Sequence, residues 1–192
     1  MKRVGLFFGS FNPIHIGHLA IANYMYSFTD LDEIWLVISP HNPLKNKSTL
    51  LHHSQRYYMV NIAIEDSPFL KASSVEFDLP QPSYTVNTLA HLKEKYPNVS
   101  FSLIMGSDNL NSFHKWKNFE YILDNYNIYI YPRPGEIPDQ YINHKNVIIT
   151  QAPHMDISSS FIRKAIKEKK NVQHFLHPAV WNFLDEMNFY KN

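Results

Sequence analysis

Short apolar segments recur along the chain, and polar stretches with helical spacing separate them. Each apolar segment is bounded by turn residues, and the last two are rich in β-branched and aromatic residues, which predicts buried β-strands. The predicted strands are Val4–Phe8, Ile34–Ile38, Phe101–Met105, Asn127–Tyr131 and Asn146–Thr150.

The stretches between and after these strands predict amphipathic helices. In the second of them, Ser54 is expected as the N-cap. The predicted helices are Gly17–Phe28, Ser54–Glu65, Thr85–Tyr96, Ser158–Lys169 and Pro178–Asn188. The first of these helices carries Leu19, Ala22, Asn23 and Tyr26 at helical spacing. The second is expected to bury Met59 and Ala63, with Tyr58 as a further candidate.

Strands that alternate with helices predict βαβ units and therefore an α/β fold, a Rossmann-like doubly wound parallel sheet. The 192 residues fit one domain, and residues 1–192 are expected to form it, because the Pro132–Pro138 stretch is followed by a single strand before the next helix. We interpret that stretch as a loop and not as a linker between domains.

Composition limits the classes of function. A net charge of +1 offers no broad cationic face, so neither nucleic acid nor an anionic membrane is an expected partner. The chain has no cysteine, which excludes disulfides and thiolate metal sites. No apolar stretch approaches the roughly 20 residues of a membrane span. The N-terminal apolar run is too short for a signal peptide, so a cytoplasmic location is expected.

Ligands of a parallel α/β sheet bind where the carboxyl ends of the strands meet their loops. That rule directs attention to a small number of junctions. They are Gly9–His18, Ser39–Lys47, Gly106–Trp116, Pro132–Gly135 and Ala152–Arg163.

The first junction combines a glycine after a strand with two histidines at the start of a helix. Gly9 lets the backbone approach a ligand, and the helix N-terminus favours phosphate. His15 and His18 are three residues apart and share one helix face, where both imidazoles can donate to phosphate oxygens. The alternative is a glycine turn with two surface histidines, or half of a zinc site completed by ligands that the sequence does not place.

The last junction ends in the string Ile157–Arg163, which carries three serines and an arginine at a predicted helix start. Hydroxyl and N–H groups there suit an anion, and Arg163 lies four residues after Ser159, on the same face. A guanidinium grips phosphate oxygens in a bidentate manner. The alternative for the serines is a simple N-cap.

Both strings resemble motifs of the nucleotidyltransferase superfamily. Residues His15–His18 are similar to its HxGH signature, and Ile157–Arg163 is similar to its Ile-Ser-Ser/Thr-x-x-Ile-Arg motif. Class I aminoacyl-tRNA synthetases share the literal His-Ile-Gly-His but are far longer. Two motifs in the right order, each at a strand-to-helix junction, make the resemblance specific.

Three further strings resemble bacterial nicotinate-nucleotide adenylyltransferases. Pro82–Leu89 is similar to their Pro-Ser-Tyr-Thr-x-x-Thr-Leu element, Gly106–Asp108 with Lys115-Trp116 to their Gly-x-Asp and Lys-Trp pair, and Pro132–Gly135 to their Arg-Pro-Gly loop. Taken alone, these residues have simpler explanations. They are an N-cap for Thr85, a helix cap for Asp108, a core aromatic for Trp116 and a solvated loop charge for Arg133.

The resemblance covers Val4 to Arg163 and has two departures. Phe8-Gly9 replaces the usual Gly-Gly, and Pro40-His41-Asn42-Pro43-Leu44-Lys45 replaces the usual Pro-Pro-His-Lys loop. The second departure leaves open whether Lys45 or Lys47 reaches the phosphates. The helices after Arg163 carry no motif of the family.

The resemblance implies that AMP is transferred from ATP to nicotinate mononucleotide, giving deamido-NAD and pyrophosphate in NAD synthesis. Mg²⁺ is expected to ride on the ATP, with no metal held by the protein alone. The implied catalytic residues are His15, His18, Lys45 and Arg163; the implied ATP-binding residues are Gly9, Ser10, Phe11, Gly106, Asp108, Ile157, Ser158 and Ser159; and the implied nicotinate-nucleotide-binding residues are Ser83, Tyr84, Thr85, Trp116 and Arg133.

Other readings of the same sequence stay open. The acceptor can be nicotinamide mononucleotide or phosphopantetheine, although Trp116 and the Pro-Ser-Tyr-Thr element argue against an acceptor without a ring. A non-catalytic nucleotide-binding regulator can also share the fold. The oligomeric state cannot be read from the sequence.

Overall fold

A computed structural model describes residues 1–40, 50–135 and 139–191. Within these ranges six strands form one sheet, and every pairing between neighbours is parallel. This confirms the predicted α/β fold with a doubly wound parallel sheet. The strands are β1 (Lys2–Gly9), β2 (Glu33–Ile38), β3 (Leu70–Ser73), β4 (Val99–Gly106), β5 (Ile128–Tyr131) and β6 (Val147–Ile149).

The strand order is β3-β2-β1-β4-β5-β6, so the chain winds outward from β1 in both directions. Gly9 of β1 is in register with Ile38 of β2, and Phe7 is in register with Ile104 of β4. Because the connections leave β1 and β4 in opposite directions, a crevice opens at their carboxyl ends. That crevice is where the predicted motifs of the first, fourth and fifth strands meet.

Helices cover both faces of the sheet, as a parallel sheet requires. β1 alternates strictly, with Phe7 packing in a first core cluster and Leu6 in a second one. The first cluster takes buried residues from α1 (Ile16–Phe28), α2 (His53–Ala63), α7 (Ser159–Lys167) and α8 (Pro178–Glu186). The second takes them from α3 (Thr85–Lys95), α4 (Ser107–Phe113), α5 (Phe119–Asn125) and α6 (Asp139–Ile142).

Several short elements were not predicted from the pattern of the sequence. β3 contributes one fully buried side chain, Leu70, and α4, α5 and α6 span only four to seven residues. An edge strand with one buried position and helices of one or two turns show too few repeats for periodicity to reveal them. A short 3-10 helix at Gln173–Phe175 was missed for the same reason.

Two details of the predicted helices are wrong. The N-cap of α2 is His52, whose ring accepts from the backbone N–H of Ser54, so Ser54 lies inside the helix. Tyr26 and Tyr58 are exposed, as is Asn23, whereas Met59 and Ala63 are buried as predicted. The inner face of α1 is set instead by Ile21, Ala22 and Met25.

None of the helices in the described ranges combines the length and apolar character needed to cross a membrane. The two core clusters lie on opposite faces of a shared sheet. That arrangement supports one domain for residues 1–192, which stays a prediction.

The central position of β1 generates a stability prediction. Leu6 is fully buried, and replacing it with alanine leaves a cavity that the strands on both sides cannot close. Leu6→Ala should lower the free energy of unfolding by about 2–5 kcal/mol, measured by urea denaturation. Ile149→Ala, on the edge strand β6 and 42% exposed, is the control and should change it by about 1 kcal/mol or less. Equal losses in both variants would contradict the central role of β1.

Candidate active site

The loop after β1 and the start of α1 are built around the two histidines. His15 is the N-cap of α1, and its carbonyl accepts from the backbone N–H groups of His18 at 2.9 Å and Leu19 at 3.3 Å. The backbone N–H of His15 in turn donates to Nδ1 of His18 at 3.3 Å. The bond from the His15 backbone to the His18 side chain is one half of a capping box, and it requires the spacing of three residues.

Gly9 and Gly17 make room for the aromatic rings of this motif. The imidazoles of His15 and His18 stack with their centroids 3.7 Å apart. A Cβ on Gly17 would lie 3.1 Å from Nδ1 of His15, and one on Gly9 would lie 2.7 Å from the Phe11 ring. That ring meets His18 edge-on at 5.0 Å. The glycines are therefore needed for the packing of the motif.

The two rings present neutral imidazoles. Burial, and then the charge of Arg133, lowers the pKa of His15 to about 4, so its ring is uncharged at neutral pH. Nδ1 of His18 accepts a hydrogen bond, which places the proton of its neutral ring on Nε2. Among the described residues, Nδ1 of His15 is one of two buried side-chain polar atoms that lack a hydrogen-bond partner. A buried polar atom of this kind is typical of a functional site.

The second motif is hydrogen-bonded to the first. The Ser159 hydroxyl donates to the carbonyl of Pro13 at 2.9 Å, and Nη1 of Arg163 donates to the carbonyl of Asn12 at 2.8 Å. Ser158 is the N-cap of α7 and accepts from the N–H of Phe161, so the N-cap explanation holds for this serine. Ile157 packs against Gly17. The tertiary fold thus joins two motifs from opposite ends of the resemblance.

The ends of β4 and β5 supply a third group beside the histidines. The backbone N–H of Arg133 donates to the Ser107 hydroxyl at 2.9 Å, and its guanidinium donates to the Met155 carbonyl at 2.9 Å. A Cβ on Gly106 would collide with Asp108 and with the Arg133 side chain. Arg133 is half-buried, so it is not a solvated loop charge. Asp108 lies in the first turn of α4, whose N-cap is Gly106.

Three of the predicted acceptor residues, Ser83, Tyr84 and Thr85, lie together at the start of α3. The N-cap of α3 is Tyr84, which moves Thr85 to the first helical position. The ammonium of Lys117 lies 4.7 Å from the centroid of the Tyr84 ring. Ser83 and Thr85 are both partly exposed.

Trp116 lies near the ends of β4 and β5. Its ring packs edge-on against Phe113 at 5.3 Å, and it lines a cavity of about 60 Å³ with Tyr131, Phe7 and Asn109 among the other wall residues. The Arg133 guanidinium lies over the Tyr131 ring at 5.5 Å. Trp116 is therefore both a partly buried aromatic and a wall of the crevice.

A buried arginine that the sequence analysis did not single out braces the site. Arg56 of α2 is fully buried and donates to the carbonyls of Ser10 at 2.6 Å, Ser39 at 2.9 Å, Pro40 at 2.9 Å and Leu51 at 2.9 Å. Burial lowers its pKa to about 10, so the guanidinium stays charged at neutral pH. The motif strings gave no signal for it, because its partners are backbone groups from distant segments.

Some predicted features cannot be compared with the structure. Lys45 and Lys47 lie outside the described residues. Across the described ranges, no cluster of three or more histidine, aspartate or glutamate side chains could hold a metal ion. The zinc alternative for the histidine pair therefore lacks support there.

Burial of His15 generates a pH-dependent stability prediction. Its pKa is about 4 in the fold against 6.5 in an exposed chain, so the unfolded state binds the extra proton and stability falls as the pH drops from about 6.5 towards 4. Between pH 7 and pH 5, protonation of His15 in the unfolded chain should lower the free energy of unfolding by about 2 kcal/mol. In His15→Gln, the free energy of unfolding measured by urea denaturation should therefore fall by about 2 kcal/mol less over this interval than it does in the wild type. His174→Gln, an exposed histidine, is the control and should follow the wild type; a His15→Gln curve with the wild-type pH dependence would contradict the prediction.

The chain is similar to known proteins over nearly its whole length. The profile of the cytidylyltransferase-like family matches residues 6–165. Relatives named "probable nicotinate-nucleotide adenylyltransferase" include one from Flavobacterium psychrophilum, 60% identical over 98% of this chain and 99% of its own. Another, from Cytophaga hutchinsonii, is 47% identical over 99% of both chains.

A solved structure supports the fold at low identity. Nicotinic acid mononucleotide adenylyltransferase of Plasmodium falciparum, in complex with NaAD, superposes with a TM-score of 0.82 at 21% identity, covering 100% of this chain and 98% of that one. The sequence relatives, and not this likeness, establish the family. By its full-length identity to these relatives, and by a geometry that unites both nucleotidyltransferase motifs at one crevice, the chain belongs to the nicotinate-nucleotide adenylyltransferase family.

Proposed function

We propose that the protein transfers the AMP part of ATP to nicotinate mononucleotide and releases pyrophosphate, a step of NAD synthesis. The observation that carries the proposal is the pair of stacked imidazoles at the N-terminus of α1, of which burial keeps that of His15 neutral. They lie where hydrogen bonds from the second motif hold the loop. The names of the full-length relatives support the same activity.

The chemistry needs positioning more than proton transfer. An oxygen of the acceptor's phosphate forms a bond to the α-phosphorus of ATP, and the bond from that phosphorus to the bridging oxygen breaks as pyrophosphate leaves. The attacking phosphate monoester is already anionic near pH 7, so no strong general base is required. The task of the protein is to hold the groups in line and to stabilise the charge that develops.

The two histidines suit the transferred phosphate. In the proposed mechanism, Nε2–H of His18 and the ring of His15 donate to the α-phosphate and the bridging oxygen. Neutral donors fixed before the reaction stabilise developing charge without reorganisation. The N-terminus of α1 adds its dipole in the same place.

The second motif suits the leaving pyrophosphate. A guanidinium has five N–H groups, and the structure uses two of those of Arg163 for Asn12 and Ser160, which leaves donors for phosphate oxygens. Lys45, and alternatively Lys47, stay predicted phosphate ligands. The remaining proposed ATP contacts come from the loop after β1, the start of α4 and the start of α7, at Gly9, Ser10, Phe11, Gly106, Asp108, Ile157, Ser158 and Ser159.

Enzymes that transfer nucleotidyl groups use a divalent metal with the nucleotide, and we propose Mg²⁺ for this chain. Mg²⁺ prefers phosphate oxygens and water to an all-protein cage. The lack of a cluster of acidic or histidine ligands in the described ranges fits an ion that arrives on the triphosphate. The ion would neutralise charge on the phosphates while the residues named above orient them.

The start of α3 and the aromatic wall suit the acceptor. Backbone N–H groups at the N-terminus of α3 and the hydroxyls of Ser83 and Thr85 can meet a carboxylate, and Tyr84 and Trp116 can frame a pyridine ring. Arg133 is the proposed partner of the mononucleotide phosphate. The absence of nucleic-acid and membrane partners and a cytoplasmic location stay predictions.

Removing one imidazole should separate catalysis from folding. His18→Ala should lower turnover by roughly 10²–10³-fold, or about 3–4 kcal/mol of transition-state stabilisation, because one fixed donor to developing charge is lost. ATP affinity, measured by calorimetry, and the thermal unfolding curve should change little. His174→Ala is the matched control, far from the motif in sequence. Near-wild-type turnover of His18→Ala would remove His18 from the mechanism.

Pyrophosphate release with each acceptor tests the proposed function itself. With saturating ATP, kcat/KM for nicotinate mononucleotide should exceed that for the nicotinamide form by about one to two decades. The carboxamide NH₂ would face N–H donors and leave about 1–3 kcal/mol of buried hydrogen bonding unmade. Thr85→Val, which removes one proposed hydroxyl contact to the carboxylate, should lower the ratio of kcat/KM for the nicotinate form to that for the nicotinamide form. A ratio near one would contradict the acceptor, and no release with any acceptor would favour a non-catalytic regulator.

A further inference from the structure

The segment from Met187 to Lys191 is held in a fixed conformation after α8. The backbone N–H of Phe189 donates to the carbonyl of Leu184 at 3.0 Å, which turns the chain back along the helix. The Phe189 ring packs on Phe183 with 5.6 Å between centroids, and the ammonium of Lys191 lies 2.8 Å from a carboxylate oxygen of Asp185. These contacts fix where residue 190 packs against the rest of the protein.

That place is the loop carrying the histidine motif. The Tyr190 hydroxyl donates to the side-chain oxygen of Asn12 at 2.6 Å, and the backbone N–H of Leu51 donates to the same oxygen at 3.2 Å. Asn12 is 3% exposed, so the contact is shielded from water. Burial raises the pKa of the Tyr190 phenol, which keeps it a hydroxyl donor throughout the working range of pH.

Three further side chains hold this loop by its backbone carbonyls. Arg56 binds the carbonyl of Ser10, Arg163 that of Asn12, and Ser159 that of Pro13. The bonds from the Tyr190 hydroxyl and the Leu51 N–H instead hold a side chain, that of Asn12, three residues before His15. Together these contacts define the path of the chain from β1 into the N-cap of α1.

We propose that Tyr190 is a positioning residue for adenylyl transfer, acting through Asn12 on the placement of His15 and His18. The inference rests on the proposed function of that site. It assigns a role to the end of the chain, which lies beyond residue 165, where the match to the family profile ends. No motif of the sequence pointed to it.

Removal of a single oxygen atom tests the proposal. Tyr190→Phe keeps the ring and loses the hydrogen bond, and it should lower kcat about tenfold, the loss that corresponds to one buried hydrogen bond, with KM for ATP within about twofold. Rates are measured well below the melting temperature of each variant, so that both are fully folded. Tyr58→Phe, on the exposed face of α2, is the matched control and should keep wild-type kinetics. A Tyr190→Phe enzyme with kcat within about twofold of wild type overturns the role, even if its melting temperature falls.

A double-mutant cycle asks whether the effect passes through Asn12. If it does, adding Tyr190→Phe to Asn12→Ala should lower kcat by less than about twofold further, because the shared contact is already gone. A further tenfold loss would overturn the proposed path.

A measurement without turnover separates this inference from the proposed function. The ring nitrogens of His15 and His18 can be followed by long-range proton–nitrogen NMR during a pH titration. Tyr190→Phe should shift these resonances and move the titration of His15 towards that of an exposed histidine, while Tyr58→Phe should leave both unchanged. If the wild type released no pyrophosphate, the proposed function would fail and this measurement alone would decide the inference. Unchanged histidine resonances in Tyr190→Phe would overturn it.

Discussion

Parallel pairing of β1 on both of its edges is the constraint on which the structure depends. β1 joins β2 on one side and β4 on the other, so the chain must wind outward in two directions and the loops at the carboxyl ends must part between them. The residues after β1, β4 and β5 are separated by long stretches of chain, yet they end at the same crevice. The histidine motif, Gly106 and Arg133 meet for this reason alone.

Several polar groups are buried to brace that crevice, and their burial opposes folding unless hydrogen bonds compensate it. Arg56 carries a buried charge, and within the described ranges backbone carbonyls, not a carboxylate, satisfy it. His15 is kept neutral by the same loss of water. A buried charge that is hydrogen-bonded to carbonyls of several segments holds those segments together. Moving any one segment would leave N–H groups of the guanidinium buried without an acceptor. Burying these polar groups therefore costs some folding stability and in return fixes the geometry of the loop.

The site divides into two halves with different physical character. The half around α1 and α7 consists of hydrogen-bond donors and helix N-termini, which suit phosphate groups. The half around Tyr84 and Trp116 is aromatic and only partly buried, which suits a planar ring. Arg133 lies over the Tyr131 ring and close enough to His15 for its charge to lower the pKa of that histidine. Its charge therefore acts on the half of the site that holds the histidines.

The sequence by itself determined the fold class, five of the strands, the main helices and the family, because each depends on local periodicity or on a contiguous string. The predicted roles of the site residues stay predictions, but the structure does bring both motifs, Asp108 and Arg133 to one crevice. Only the tertiary structure decided the edge strand β3, the exposure of Tyr58, the bracing by Arg56 and the bond from Tyr190 to Asn12. These depend on contacts between segments far apart in the chain: a lone arginine in α2 and a tyrosine near the C-terminus carry no pattern until the sheet brings their carbonyl and amide partners within hydrogen-bonding distance.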